Sequence, residues 1–304
     1  MTILMSGASG MLGKAIGESL RKRGAHLLRL VRNAPTAARP ANRADEVSWN
    51  PSAGEIDATS LEGVHAAIHL SGANVASHRW TAAYKREMTD SRIVTTRVLS
   101  EALAKLKSPP QVLVTASAVG FYGDRGDEIL DEDSPAGTGF FSELCTSWEA
   151  AARPALEAGI RVVHLRLGMV IGPDGGAMAR LTPIFRLGLG GPLGSGRQWM
   201  SWVSEADAVS AAVFCLDDAR MAGPVNVVAP APATNAVFTR ELGRAVHRPA
   251  LLPAPSFALR LAFGEMADEA LLASTRAVPK RLLDAGFPFS QANLAQAFAA
   301  ALGK

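Results

Sequence analysis

Two cysteines, Cys145 and Cys215, are all that 304 residues contain. That excludes a disulfide framework, and the pair reads as the reduced thiols of a cytoplasmic protein. No apolar run approaches the roughly 18–20 residues needed to span a membrane. The opening Met1-Thr2-Ile3-Leu4-Met5 lacks the basic and apolar regions of an export signal, which fits a cytoplasmic expectation. A block of one charge is missing too. The 31 Lys and Arg are interspersed with 28 Asp and Glu, so neither nucleic acid nor a membrane is expected as a partner. Only Tyr84 and Tyr122 offer a phenol for acid–base work. What the chain has in quantity is apolar side chains. At 48% hydrophobic against 19% charged, it has the balance of a folded globular protein and not of a disordered one.

The apolar residues fall into short runs that alternate with longer amphipathic ones. Ile3–Met5, Leu27–Val31, Ala66–Leu70, Gln111–Thr115 and Arg161–Leu167 read as strands. Their near-continuous hydrophobicity belongs to a parallel sheet covered on both faces. Helices are expected over Met11–Arg23, Ala82–Lys107, Glu143–Ala158 and Glu205–Leu216, near Phe257–Leu272, and after Ser290. Strand Val225–Val228 returns to the sheet. The pattern predicts an α/β fold with a doubly wound parallel sheet and a smaller C-terminal substrate-side domain. Residues 1–172 form the first unit, completed by about 203–228, and residues 173–202 and 229–304 form the second.

Gly7-Ala8-Ser9-Gly10-Met11-Leu12-Gly13 follows the first strand and opens the first helix. Glycines there permit a tight turn and bring backbone N–H groups to a pyrophosphate, while the helix N-terminus supplies positive potential. This makes the first unit a Rossmann dinucleotide site. At the end of the second strand, an NAD site places an acid against the ribose hydroxyls. Here no acid occurs between Glu18 and Asp45, and the strand ends Val31-Arg32-Asn33, with Arg39 and Arg43 beyond. A guanidinium pairs with a 2′-phosphate through a charge-assisted fork, so the expected cofactor is NADP(H), with Arg32 and Asn33 at that phosphate.

These residues resemble the extended short-chain dehydrogenase/reductases, the NAD-dependent epimerase/dehydratase family. The glycine motif matches, and Leu70-Ser71-Gly72-Ala73 looks like the turn that contacts the cofactor. Ala116-Ser117-Ala118-Val119-Gly120-Phe121-Tyr122-Gly123 resembles the end of the catalytic-serine strand. Arg166-Leu167-Gly168-Met169-Val170-Ile171-Gly172-Pro173 resembles the segment that places Leu167 and Met169 at the cofactor. Trp202-Val203-Ser204-Glu205-Ala206-Asp207-Ala208 resembles a family helix start. The stretches Phe185–Gln198 and Pro279–Phe287 are similar to an atypical, sugar-nucleotide-epimerase-like branch with a C-terminal domain of unknown function. The resemblance covers the whole chain. It implies hydride exchange with a small or nucleotide-linked substrate.

The chain also departs from the family. Its members use Tyr-x-x-x-Lys, the lysine one helical turn on from the tyrosine and lowering its pKa. Here the register reads Phe141-Ser142-Glu143-Leu144-Cys145. A phenyl ring carries no proton and a thiol no fixed positive charge. The remaining candidates are Ser117, which can orient a carbonyl or hydroxyl, and Tyr122, which can donate a proton if it points into the cleft. Glu143 and Cys145 follow, the latter more readily read as an inert packed thiol. Arg186, Arg197 and Trp199 flank a loop with five glycines in Leu187–Gly196 and suit an anionic or aromatic small-molecule substrate. Such a loop is expected to be a mobile lid.

Asp124, Asp127, Glu128, Asp131, Glu132 and Asp133 lack calcium-loop spacing and read as a solvated acidic loop. His65 and His69 complete no ligand set, so no metal is expected. A rival reading has the fold retained and the chemistry lost, leaving a cofactor-binding sensor or regulatory protein.

Overall fold

The computed structural model describes residues 1–32, 45–173 and 175–303. Its strands are β1 (Thr2–Ser6), β2 (His26–Arg32), β3 (Glu46–Asn50), β4 (Glu55–Ile56), β5 (Ala66–His69), β6 (Val112–Ala118) and β7 (Ile129–Leu130). They continue with β8 (Arg161–Leu167), β9 (Met169–Ile171), β10 (Trp199–Met200), β11 (Trp202–Ser204), β12 (Gly223–Val227), β13 (Ala233–Thr234) and β14 (Arg276–Ala277). The helices are α1 (Met11–Lys22), α2 (Ala82–Ala104), α3 (Phe140–Ala150), α4 (Arg153–Glu157) and α5 (Met178–Arg186). After them come α6 (Glu205–Asp217), α7 (Asn235–Ala245), α8 (Ser256–Phe263), α9 (Lys280–Asp284) and α10 (Leu294–Ala301).

Eight strands form one sheet in the order β12-β8-β6-β5-β1-β2-β3-β4, parallel except where β4 turns back on β3. The chain winds outward from β1 in both directions. Its topological switch therefore lies between β1 and β5, where a crevice opens at the C-terminal strand ends. Alternation along β1 explains the continuous apolar run. Ile3 and Met5 pack with Ile16 and Leu20 of α1 and Ala211 of α6, while Leu4 packs with Leu99 and Leu103 of α2. A third core, around Trp202, Phe238, Phe298 and Phe185, joins α5, α7 and α10. Asp207 ties the tail to α6, accepting from Ser290 N (2.8 Å), Ser290 Oγ (2.7 Å) and Gln291 N (2.9 Å). No helix among the described residues is long and apolar enough to cross a membrane.

Two expected helices break where backbone chemistry requires it. Glu143–Ala158 divides into α3 and α4 because Pro154, without an N–H, suits only the first turn of a new helix. Phe257–Leu272 stops at Gly264, whose φ of 62° reverses the chain, and resumes as a π-helical turn over Ala267–Leu272. The opposite happens at Pro183, which does not end its helix. The helix α5 runs through that proline to Arg186, with Phe185 anchored in the third core.

Candidate functional site

The glycine motif builds a cradle at the end of β1. Gly7 adopts φ 68°, and a Cβ there would meet the Leu70 carbonyl at 2.7 Å, so only glycine lets β1 and the β5 turn approach. At Gly13 a Cβ would fall 2.1 Å from Gly7 O. Gly10 N donates to Gly7 O (3.0 Å), closing the turn. No side chain caps the N-terminus of α1, whose first turn carries no acid. Its amides and dipole stay available to an anion beside exposed Ser9 and Gly10 and half-buried Met11 and Leu12. This cradle fits a dinucleotide pyrophosphate.

The neighbouring turn is held from behind. Ser91 Oγ accepts from Ala73 N (3.0 Å), and buried Arg92 donates to Ala73 O (2.9 Å). Arg92 also fills the space beside Gly72, leaving Leu70–Ala73 fixed at the crevice. At the end of β2, Arg32 is exposed beside Trp49 of β3. Asp45 and Glu46, at the start of β3, are both taken by Arg29 at 2.9 Å. A cation thus stands at this strand end with no ion pair among the described residues. Asn33, Arg39 and Arg43 lie outside the described residues. On the other side, Leu167 and Met169 are half-buried where the chain bends at Gly168, whose Cβ would strike Ser201 O at 2.7 Å.

The expected catalytic hydroxyls are placed differently from the sequence reading. Ser117 is 2% exposed, and its Oγ donates to Glu149 Oε1 (2.7 Å). Glu149 in turn receives both arms of Arg166, from Nε (2.8 Å) and Nη2 (2.9 Å). The Arg166 Nη1 donates to Tyr122 Oη (3.0 Å), whose own proton faces Asn226 Oδ1 (2.7 Å) and Asp131 O (2.9 Å). The guanidinium also lies 3.4 Å over the Phe121 ring centroid. Tyr122 is fully buried, and burial pushes its phenol up to about 12 against the pull of Arg166. Burial alone would lower the Arg166 guanidinium, but the Glu149 hydrogen bonds and charge outweigh it and raise it. Ser117 and Tyr122 thus share one hydrogen-bonded network with Glu149, Arg166 and Asn226. Strand alternation turns half-buried Ala118 to the opposite side from Ser117.

Phe141 and Cys145 follow the same logic. Phe141 packs against Gly120 and stands 4.8 Å edge-on to Trp80, within an aromatic wall that includes Phe140 and Tyr84. Cys145 is 2% exposed, and burial, then the nearby Glu149, push its thiol up to about 12, overriding Arg92 and Arg166. Both observations favour a packed thiol, the reading the sequence preferred to a nucleophile. Two guanidiniums already occupy the surroundings of the position where the family places lysine. Glu143 is exposed on α3.

The glycine-rich loop is stitched down, contrary to the lid expectation. Gly194 N donates to Ala254 O (2.8 Å), Ala254 N to Pro192 O (2.9 Å) and Leu193 N to Asn235 Oδ1 (2.7 Å). A Cβ on Gly191 would lie 2.1 Å from Leu252 O, and one on Gly190 would lie 2.5 Å from the Phe185 ring. These glycines serve close packing. Arg186 and Arg197 are exposed at the ends of the loop. Trp199 is already engaged: Nε1 donates to Asp127 Oδ1 (2.8 Å), and Arg276 lies 4.1 Å over its ring. It ties chain segments together where substrate stacking was expected.

The acidic loop is also less solvated than its sequence suggests. Glu132 is 4% exposed, accepts from Asn226 N (2.9 Å) and Arg281 N (3.3 Å), and is raised by burial. His69 is buried between Ser6 Oγ (2.6 Å) and Thr95 Oγ1 (3.2 Å), while exposed His65 accepts from Thr2 N (3.2 Å). Among the described residues no cluster of three ligating side chains could hold a metal.

Glu149, Arg92 and Asn226 were missed by sequence reasoning. Two signals were present. Glu149 repeats the Phe141 and Cys145 positions at four-residue spacing on one helix face, and Arg166 is a charge inside an apolar strand, which demands a partner.

Comparison with known proteins agrees with this geometry. The model of the NAD dependent epimerase/dehydratase family matches residues 3–228, and a domain of unknown function, DUF1731, matches residues 254–301. An epimerase family protein of Mycobacterium bovis is 46% identical over 97% of this chain and 95% of its own. The crystal structure of human epimerase family protein SDR39U1 with NADPH superposes with a TM-score of 0.90 at 33% identity, covering 100% of both chains. A nucleoside-diphosphate sugar epimerase from Corynebacterium glutamicum gives 0.79 at 31% identity, covering 100% of this chain and 58% of that one. This chain belongs to the NAD-dependent epimerase/dehydratase family.

Proposed function

We propose that this protein is an NADP(H)-dependent oxidoreductase that works without a protein-borne tyrosine or serine relay. The observation that carries this reading is the uncapped α1 terminus over the Gly7–Gly13 cradle, with a cation and no free acid at the end of β2. Gly7, Ser9, Gly10, Met11, Leu12 and Gly13 would hold the pyrophosphate, and Arg32 the 2′-phosphate. Leu70, Ser71, Gly72, Ala73, Leu167 and Met169 would line the remainder. The relative crystallised with NADPH supports the choice of cofactor. When bound, the cofactor supplies hydride exchange at nicotinamide C4. The chain's own part is to bind, orient and exclude water. Phe141 and Trp80 form an apolar wall, and the Ser117–Glu149–Arg166 network makes the floor rigid. With the Ser117 and Tyr122 protons committed to that network, the proton that accompanies reduction comes from water. The substrate is a small molecule.

Replacement of the Tyr/Lys pair by Phe141 and Cys145 favours a second reading, a cofactor-binding sensor. One experiment separates the two. NADPH is bound, then challenged with carbonyl compounds, quinones and nucleotide sugars while its near-ultraviolet absorbance is followed. Oxidation that is saturable in an acceptor supports the oxidoreductase. Tight binding with no oxidation by any acceptor supports the sensor.

A further inference from the structure

An open depression of about 410 Å³ lies beside α7, lined by Pro192, Thr239, Arg240, Arg244, Arg248 and Leu251. None of its lining residues belongs to the glycine cradle or to the Ser117 network. The size falls within the roughly 300–1,000 Å³ of small-molecule sites. Arg240 and Arg244 are four residues apart on one face of α7, a spacing that sets like charges side by side at a cost to the helix. Among the described residues Glu241 alone answers both, at 3.5 Å from Arg240 and 2.8 Å from Arg244.

The third arginine is brought in by the backbone. His247 is the one non-glycine with positive φ (56°) among the described residues. It turns the chain so that Arg248 N donates to Gly243 O (2.9 Å), and a Cβ on Gly243 would meet Arg248 O at 2.8 Å. The segment carrying Arg248 and Leu251 is thereby folded back beside α7. The Arg248 Nε donates to Arg186 O and its Nη1 to His247 O, both at 3.2 Å. These bonds hold the guanidinium in place and leave Nη2 without a partner among the described residues.

Three arginines and an apolar rim line a concavity whose repulsion an anion would relieve. We propose that this depression binds a small phosphorylated compound, at a site separate from the cofactor cradle. Arginine forks suit phosphate oxygens pairwise, and Pro192 and Leu251 offer apolar contact to the body that bears the phosphate.

The test is calorimetric titration of the NADPH-saturated protein, whose cradle is then filled, with inorganic pyrophosphate at low ionic strength. It compares the wild-type chain, the Arg240→Gln/Arg244→Gln double variant and Arg248→Lys, with NADPH affinity and Tm measured in parallel. All three arginines are at the surface, so the variants should keep the wild-type Tm. The expected result is an affinity for pyrophosphate at least about tenfold weaker in the double variant, with NADPH affinity unchanged. Arg248→Lys should also weaken it, because an ammonium lacks the planar fork. Absence of pyrophosphate binding by the wild type, equal affinity in all three proteins, or a parallel loss of NADPH affinity would each overturn the proposal.

Discussion

Ser117 Oγ donates to Glu149 Oε1 across 2.7 Å, joining the end of β6 to the last turn of α3. Glu149 is at the same time the only acid paired with buried Arg166 among the described residues. The bond therefore makes the serine part of a charge-neutralising structure and commits its proton to Glu149.

Glu149→Gln should consequently act on stability first. It leaves the buried Arg166 guanidinium without its counter-ion, at a cost of about 3–5 kcal/mol. Urea unfolding measures this. Ser117→Ala removes one charge-assisted hydrogen bond and should cost less, roughly 1–3 kcal/mol. NADPH oxidation by any acceptor found should survive Ser117→Ala, and its abolition in a folded variant would return the serine to the reaction.

Tyr122 should titrate only near pH 12, because burial opposes its ionisation. The folded phenol holds its proton above the ordinary value of 10.0, so the stability it contributes is complete below that value and is lost as pH rises towards 12. Ultraviolet titration of a Tyr84→Phe variant, which leaves Tyr122 as the sole phenol, reads this directly. Normal tyrosine titration in the folded protein would place the ring in solvent.

His69 gives the opposite, acidic dependence. Burial lowers it from 6.5 to about 4, so an unfolded chain takes up a proton that the folded chain refuses. Its contribution is present above about 6.5 and drains as pH falls through about 4, by as much as roughly 3 kcal/mol. Stability measured across this window should fall more steeply for the wild type than for His69→Gln. Parallel curves would contradict the assignment.

The glycine-rich loop should be rigid in the ligand-free protein. Amides of Leu193, Gly194 and Ala254 are donated to partners on other segments and should exchange slowly with deuterium. Gly191→Ala, which drives a methyl into Leu252 O, should destabilise by roughly 1–3 kcal/mol. Fast exchange at those three amides would restore the lid reading.

Most of the architecture was legible because parallel strands are buried on both faces and announce themselves as apolar runs, as Ile3–Met5 and Arg161–Leu167 do. The glycine turn after β1 was legible because its glycines are required by backbone contact, at Gly7 and Gly13 above all. The partners of Ser117 were not. A serine at a strand end has the same sequence appearance whether it faces a substrate or a carboxylate. Glu149 reaches Ser117 from 32 residues away, and no local pattern records that. Loop glycines mislead similarly, since freedom and close packing call for the same residue.

The central claim is that the cradle and Arg32 select NADP(H), and fluorescence titration with NADPH and NADH tests it without knowledge of any substrate. The wild type should bind NADPH at least about tenfold more tightly, one charge-assisted contact being enough to supply that difference. Arg32→Ala should erase most of the preference by weakening NADPH alone. Equal or tighter binding of NADH by the wild type would contradict the account.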